Sequence, residues 1–499
     1  MRRITRILIT RILRNITLLL IAVIVVLAAV LVANTVRKPS RQIAVAPVAP
    51  VAIDEQAAAQ RLGAAVQLQT IASATDADQS ADAFRALHDL IAKDFPAFHA
   101  AAKREIVANY SLLYTWEGSD PTAKPIALLA HQDVVPIAPG TEGDWQVPPF
   151  SGAVKDGFVW GRGSWDDKGN LFAMLEAAEQ LAKDGFRPKR TIYLAFGHDE
   201  EVSGKRGAIA ISKLLQSRGV RLDFVFDEGL LITEGILKGV DRPVALIGVA
   251  EKGYVTLDLS TTAIPGHSSL PPRDTAIGKL SAALARLEAS PFPAAIKGVM
   301  RETLQTAAPE MGFGSRVALS NLWLLEPLVR LQMEKAAQTA AAIRTTTAIT
   351  IFNAGNKENV LPGRAEATVN FRLLPGETEE SVIARVTSVI ADDRVKVTPK
   401  PGNTNPPPVT STATPNYQTV NRTIREIFPD ALVVPGLMVA ATDSRNYLDV
   451  TDSIFRFSPV RATAEDLTRF HGTNERLSVK NYADMIRFYR RLVQNTASP

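Results

Sequence analysis

Three apolar runs in this 499-residue chain are followed by residues able to hold a metal or move a proton. His131 and Asp133 follow the run at 125–130, His198, Asp199, Glu200 and Glu201 follow 191–196, and Asp227 and Glu228 follow 222–226. A further acidic pair, Asp166-Asp167, sits in a glycine-flanked loop at 161–169 that opens a helical pattern. The chain has no cysteine, so thiolate metal sites, thiol nucleophiles and disulfides are all excluded, and any metal must be held by His, Asp and Glu. Several carboxylates in one cleft repel one another and resist ionisation unless positive charge sits among them. A metal pair answers that need, since one carboxylate can bridge two ions about 3.5–4 Å apart.

The elements that must position these groups read as strands and helices in alternation. The three apolar runs have the length of buried strands, and amphipathic stretches at 171–182 and 208–215 alternate with them. This predicts an α/β fold with a mainly parallel sheet flanked by helices on both faces, whose strands end along one edge where a ligand crevice forms. Helices are expected at 54–68 and 81–93. From residue 253 the pattern changes to an alternating strand at 254–260, helices at 275–289 and 325–344, and strands at 347–352 and 366–374. Residues 253–374 are therefore expected to form an inserted α+β unit between two parts of one α/β domain, 53–252 and 375–499, the latter with helices near 379–392, 416–427 and 482–494.

The amino-terminal segment sets location. Ile16 to Ala33 is apolar apart from Thr17, and at about 1.5 Å per residue it reaches roughly 27 Å, near the thickness of a hydrocarbon core. Residues 1–15 read as a basic cytoplasmic tail, 16–34 as a transmembrane anchor and 35–52 as an extended Pro/Ala/Val-rich linker that holds the domain off the membrane. Five arginines precede the run and three basic residues follow it, which puts the rest of the chain on the extracytoplasmic, periplasmic or luminal side. A cleaved signal peptide is the competing reading, against which the run is longer than a usual signal core of about 7–15 residues. The formal charge of +5 does not indicate nucleic acid, because residues 1–41 carry eight basic side chains and no acid, leaving the remainder slightly negative.

His131-Gln132-Asp133-Val134-Val135-Pro136, the 161–169 loop, Gly197-His198-Asp199-Glu200-Glu201-Val202-Ser203-Gly204 and Asp227-Glu228-Gly229 occur in order with WQVPPF at 145–150, TDSRNY at 442–447 and His471-Gly472-Thr473-Asn474-Glu475. This succession resembles the zinc-dependent aminoacylase/carboxypeptidase family, and most closely its carboxypeptidase S branch, from about residue 55 to the end. The resemblance implies a zinc-exopeptidase-like fold with two zinc ions per subunit. It implies that His131, Asp166 and Asp227 hold one ion, and that Asp166, Glu201 and His471 hold the other. Glu200 then matches the general base and Asp133 the residue that orients His131. The inserted unit matches a lid and dimerisation domain in which His267 steadies the oxyanion, usually from the partner subunit, while Asn359 and Arg372 bind substrate. Arg445 is a second candidate for the substrate's carboxylate, since a guanidinium matches its two oxygens with parallel N–H bonds.

The activity so implied is cleavage of an amide bond in a small peptide or N-acyl amino acid with a free carboxylate. An aminoacylase or a fatty acyl amino acid hydrolase/synthase would use the same residues, and cobalt or manganese would suit the same donors. A catalytically silent, membrane-tethered binding module is the reading from another class, and an intact Glu200 and donor set argue against it. His88 and His99 read as structural, His198 as a packing or supporting group, Asp167 as a charge at the start of the following helix, and Glu228 as a neighbour hydrogen-bonding the site from outside.

Overall fold

The protein is described by a computed structural model covering residues 2–237 and 239–498, with side chains from Ile7 onward in the first helix. Its strands are β1 (Lys103–Val107), β2 (Ser111–Trp116), β3 (Ile126–His131), β4 (Ile192–Gly197), β5 (Phe224–Thr233), β6 (Val244–Glu251), β7 (Gly253–Thr262), β8 (Thr346–Ala354), β9 (Arg364–Leu373), β10 (Lys396–Pro399), β11 (Leu432–Met438) and β12 (Ile454–Ala462), with shorter pairs around them. The larger sheet is eight-stranded in the order β1-β2-β4-β3-β5-β12-β6-β11. Its centre, β4-β3-β5-β12, is parallel, and antiparallel β1 and β2 extend one edge. β6 and β11 pair in parallel with each other at the other edge.

The helices that concern the site and its surroundings are α1 (Arg2–Arg37), α2 (Glu55–Val66), α3 (Lys168–Lys183), α4 (Ala208–Ser217), α5 (Ala276–Ala289), α6 (Gly298–Ala307), α7 (Phe313–Ser320), α8 (Leu322–Met333), α9 (Ala337–Ile343), α10 (Glu379–Ile390), α11 (Pro415–Ile427) and α12 (Val479–Ala497). Strand periodicity divides β3 between two cores. Ile126, Leu128 and Ala130 pack with residues of α2, α3 and α12, while Ala127 and Leu129 pack with α4. Because both faces are covered, β3 is buried along its whole length and reads in sequence as one apolar run.

The second sheet is four-stranded, in the order β8-β9-β7-β10, with α5 and α10 closing its core. β10 pairs antiparallel with β7 and Val395 joins the same core, so this layer runs past the expected end at residue 374 to Pro399. The helix expected at 325–344 is two: α8 ends at Met333 and α9 begins at Ala337. Nor do α6 to α9 belong wholly to the second layer. Ala307 at the end of α6 packs with Leu432 and Val434 of β11, and Thr303 donates to the Pro435 carbonyl at 2.8 Å.

The 35–52 segment is strapped to the body and does not act as a free spacer. Gln42 donates through Nε2 to the Val433 carbonyl at 2.8 Å and accepts from the Val433 amide at 2.9 Å, pairing with β11 as a strand would. Arg425 also donates to Gln42, and Arg487 donates to the Val51 carbonyl.

Candidate metal centre

Two loops and a bulge bring the donors together. β3 ends at His131 and β4 at Gly197, so both deliver their groups at the sheet edge as expected. β5 continues to Thr233, so Asp227 and Glu228 lie within the strand and not beyond it. Its pairing with β12 slips here, from Arg456 opposite Asp227 to Phe457 opposite Leu230, which makes a bulge at Glu228-Gly229. Gly229 adopts φ +147°, and a Cβ there would lie 2.8 Å from that of Arg456, so only glycine fits.

The bulge decides which acidic residue faces the cleft. The Asp227 carboxylate is engaged by backbone, accepting from the Ser444 amide at 2.8 Å and the Glu228 amide at 3.0 Å. Glu228 instead gathers with His131 and Asp166, its ligand atom within 4.8 Å of theirs. Asp227, expected in this group, lies behind it as the preceding residue of the strand, with its carboxylate on the Ser444 and Glu228 amides.

Asp166 joins the halves of the site. Its Oδ1 lies 3.0 Å from His131 Nε2 and its Oδ2 lies 2.7 Å from His471 Nε2. His471 Nε2 is also 3.2 Å from Glu201 Oε1, which is buried and makes no hydrogen bond. The structure thus gathers three overlapping donor sets, His131 with Asp166 and Glu228, Asp166 with Glu201 and His471, and His131 with Glu200 and Glu201. Each oxygen of Asp166 serves a different set, which is the arrangement a bridging carboxylate requires. Oxygen and imidazole donors with an unpartnered buried carboxylate oxygen fit a pair of hard or borderline divalent cations.

The electrostatics point the same way. Burial, then the carboxylates of Asp443, Glu201 and Asp133, pushes Glu200 well above the usual carboxylate range. Burial, Asp166 and Asp167 do the same to Glu228. Burial alone would raise Asp166 too, but hydrogen bonds from His131 and His471 outweigh it and hold that carboxyl low. His471 is pushed up to about 10 by its hydrogen bond with Asp166 and by the neighbouring Glu201 carboxylate, while burial opposes the shift. The carboxylates around His131 and His471 thus favour positive charge here, the charge that bound cations would bring.

Asp133 supports the cluster from behind, with its main-chain carbonyl 3.0 Å and its carboxylate 3.4 Å from His131 Nδ1. The same carboxylate accepts from the amides of Glu200 at 3.2 Å and Glu201 at 3.0 Å, fixing the turn that presents both acids. Asp167 is buried and does not cap α3 with its side chain; it accepts from the His131 amide at 3.2 Å and from Asn170 at 2.5 Å. His198 is packed between Phe84 and Tyr110 and bonds Ser111, and His88 bonds Gln132 and the Tyr110 carbonyl, both structural positions.

Glu475 is a supporting residue whose role the sequence did not reveal. Its Oε1 accepts from the amides of Gly163 at 2.9 Å, Trp165 at 3.0 Å and Asp166 at 3.2 Å, and its Oε2 accepts from Arg162 at 2.6 Å. Arg162 in turn donates to the carbonyls of His471 and Gly472. One buried ion pair therefore ties the Asp166 loop to the His471 loop. Its signal was the acid four residues after His471, which only the fold connects to a loop over three hundred residues earlier.

A cavity of about 830 Å³ opens beside the cluster, lined by Asp166, Glu200, Glu201, Glu228 and His471 on one side and by Arg372 and Arg445 on the other. Arg372 stacks over Tyr254 with its guanidinium 4.7 Å from the ring centroid. Neither arginine has an ion-pair partner within 4.0 Å among the described residues, so one cavity is lined both by the donor cluster and by two guanidinium groups free to meet an anion. Asn446 also lines it, with a buried Nδ2 that lacks a partner, another group the sequence did not single out. His267 and Asn359 are elsewhere. They lie exposed at a short two-stranded pairing on the second layer, where the Ser268 amide donates to the Asn359 carbonyl, and neither lines the cavity of its own chain.

Fold and donor set together define a metal-dependent α/β hydrolase. The chain belongs to peptidase family M20/M25/M40, whose family model matches residues 127–495. It is 41% identical over 476 residues to the probable carboxypeptidase S-like 2 of Dictyostelium discoideum, covering 93% of this chain and 91% of that one. It is 43% identical over 442 residues to the mouse (Mus musculus) N-fatty-acyl-amino acid synthase/hydrolase PM20D1, covering 87% of each. Its fold is shared with the M20 family metallo-carboxypeptidase Sso-CP2 of Sulfolobus solfataricus at a TM-score of 0.64 and 16% identity, over 89% of this chain and 99% of that one. The chain is thus a hydrolase acting on amide bonds, in a family whose members are generally metal-dependent.

Glu475→Gln should leave an amide N–H₂ facing backbone N–H groups and loosen both loops. Divalent-metal affinity, measured by competition with a chromogenic chelator, is expected to fall about 10–100-fold while the far-ultraviolet circular dichroism is retained.

Proposed function

We propose that the protein is a membrane-anchored carboxypeptidase that uses two zinc ions to hydrolyse the amide bond of a peptide or N-acyl amino acid bearing a free carboxylate. The observation that carries this reading is the single cavity with Glu200 and the donor cluster on one wall and the unpaired guanidinium groups of Arg372 and Arg445 on the other. His131 and Asp166 would hold one ion with Asp227, or with Glu228 that gathers beside them, and Asp166, Glu201 and His471 the other. Bound there, the ions polarise the scissile carbonyl and acidify the attacking water.

The remaining steps belong to the chain. Arg372, with Arg445, takes the substrate's carboxylate and sets the scissile amide against the donor cluster. Glu200 accepts a proton from water as its oxygen adds to the carbonyl carbon, then returns that proton to the departing nitrogen as the C–N bond breaks, so that one acid and one amine are released. The carboxylate of Asp133 keeps His131 and the Glu200-Glu201 turn in register.

A second reading places the specificity in a fatty acyl group, with the amino acid as leaving group. It is supported by the name of the mouse relative and by a cavity larger than a dipeptide alone requires. Both readings place an amino acid carboxylate near the arginines, and a panel of N-acyl amino acids and dipeptides separates them.

The partner reading rests on His267 and Asn359. Ile264 and Leu270 beside them are exposed, as are Ile351 and Phe352 of β8, the edge strand of the second sheet. An uncovered apolar edge strand suits pairing with a second copy, which would bring His267 to the neighbouring cavity. For location, α1 contains a 31-residue apolar helix, Ile7–Arg37, whose best window has a mean hydropathy of 3.3, and we read it as a single membrane span with the amino terminus cytoplasmic.

Glu200→Gln is expected to lower kcat by about 10²–10⁴-fold with metal content unchanged by atomic emission; unaltered turnover would remove Glu200 from the chemistry. Arg372→Ala should lower kcat/KM for free-acid substrates about 10–100-fold and leave the slow turnover of their amides unchanged. A mixture of Glu200→Gln and His267→Ala chains, each inactive alone, should regain turnover on co-refolding, because one mixed dimer site keeps both residues; no recovery would place His267 outside a shared site.

A further inference from the structure

The helix α8 is apolar on the side that faces away from the protein. Leu322 is buried, and Val329 and Met333 pack with Ile296, Leu304, Leu319 and Ile343. On the opposite side Trp323 is 61% exposed, Leu328 65% and Leu331 52%, with Leu324 and Pro327 completing the stripe. Positions 323, 324, 327, 328 and 331 share one helical face, the pattern of a helix whose outer surface is meant to be covered. Phe313 at the start of α7 extends the patch and is also exposed. Contiguous apolar surface of this kind is rare on a protein that meets only water.

The neighbouring element indicates what covers it. The α7–α8 corner is clamped onto the carboxyl-terminal turns of α1, where the apolar run of the proposed membrane span ends. Asn321 Nδ2 donates to the Leu31 carbonyl and to Thr35 Oγ1, both at 3.1 Å, and Asn34 donates back to Asn321 Oδ1 at 3.2 Å. Lys38 Nζ donates to the Ser320 carbonyl at 2.5 Å, and Arg316 donates to the Lys38 carbonyl at 3.2 Å. A helix fixed at the mouth of a membrane span lies at the level of the lipid headgroups. Its chemistry suits that depth: an indole and leucines face outward, Lys38, Arg41 and Arg316 stand beside them, and the acids Glu326 and Glu334 are paired with Arg301 and Arg330. The strapped 35–52 segment leaves no slack that would lift the domain away.

We propose that the outer face of α8 docks in the interfacial layer of a phospholipid bilayer, a second membrane contact that fixes the catalytic domain against the surface. The inference rests on reading α1 as a membrane span. It makes the chain a protein that both spans and lies on the membrane, with Trp323, Leu328 and Leu331 immersed at acyl-chain depth.

The absence of cysteine makes the test direct. Leu328→Cys and Leu331→Cys in the full-length chain, reconstituted in phosphatidylcholine vesicles, would each carry a spin label for power saturation with oxygen and with a water-soluble nickel chelate. Ile21→Cys reports the anchor and Ile106→Cys, exposed on β1 at the edge of the large sheet opposite β11, reports water. The labels at 328 and 331 should resemble that at 21, with oxygen accessibility exceeding nickel accessibility severalfold relative to the label at 106. Labels at 328 and 331 that favour nickel, with the label at 21 in lipid, would overturn the docking and leave the anchor standing. A label at 21 that favours nickel would overturn both. Labels at 328 and 331 shielded from both reagents and dipole-broadened would assign the face to a second copy and overturn the lipid contact.

Discussion

The structure is governed by an excess of acid in one buried place. Asp133, Asp166, Asp167, Glu200, Glu201, Asp227, Glu228 and Asp443 converge at the edge of the large sheet, where acids outnumber the cationic groups beside them, chiefly His131, His471 and Arg456. Asp133, Asp167 and Asp227 are satisfied by backbone amides, which leaves Asp166, Glu200, Glu201 and Glu228 to be balanced by charge. Each of these four appears in a donor set with His131 or His471. A fold that retains such a cluster is strained unless a cation of high charge density occupies it, and the chemistry of amide hydrolysis follows from holding that cation beside a free carboxylate base.

That requirement explains the work of residues far from any substrate. The three backbone amides converging on Glu475 and the Arg162 contacts to the His471 loop hold two segments from opposite ends of the chain to a common position. A metal-binding aspartate and histidine on separate loops would otherwise each add conformational freedom that binding must remove. The Gly229 bulge has a similar purpose in β5. It turns Glu228 into the cleft and lets Asp227 face the Ser444 amide, so that adjacent acids serve opposite sides of one strand.

Much of this was legible in the sequence, and the failures have physical causes. The apolar runs before His131 and His198 announced buried parallel strands because nothing but a two-sided core tolerates such runs. The position of Glu228 on the cavity lining was not legible, since the direction of a side chain depends on a bulge set by pairing with β12, more than two hundred residues later. The broken 325–344 helix failed for another reason: its alanine-rich half favours helix locally, so nothing in the pattern marks the break at 334–336, where Ala336 turns extended. β10 was missed because a four-residue edge strand containing lysine and proline carries almost no periodic signal. His267 and Asn359 were singled out by their motif, while their place on the second layer, off the cavity lining of the same chain, depends on tertiary packing that the motif does not carry.

The amino-terminal segment shows how a surface can be read wrongly from composition. A Pro/Ala/Val-rich stretch with few charges suits an extended tether, and its backbone is extended. Yet the side-chain amide of Gln42 pairs with both backbone groups of Val433 on the edge strand β11, occupying hydrogen-bonding groups that an edge would otherwise leave open. The same contacts determine how the catalytic domain sits relative to α1. With the linker bound along the body and Asn321 bonded to the last turns of α1, the domain cannot swing freely about its anchor. Its orientation is set by hydrogen bonds within the chain, and the apolar face of α8 is the surface that this orientation leaves beside the end of the span. The first helix, the strap and α8 are thus three parts of one geometric constraint, and the cleft inherits a fixed attitude to α1 from it.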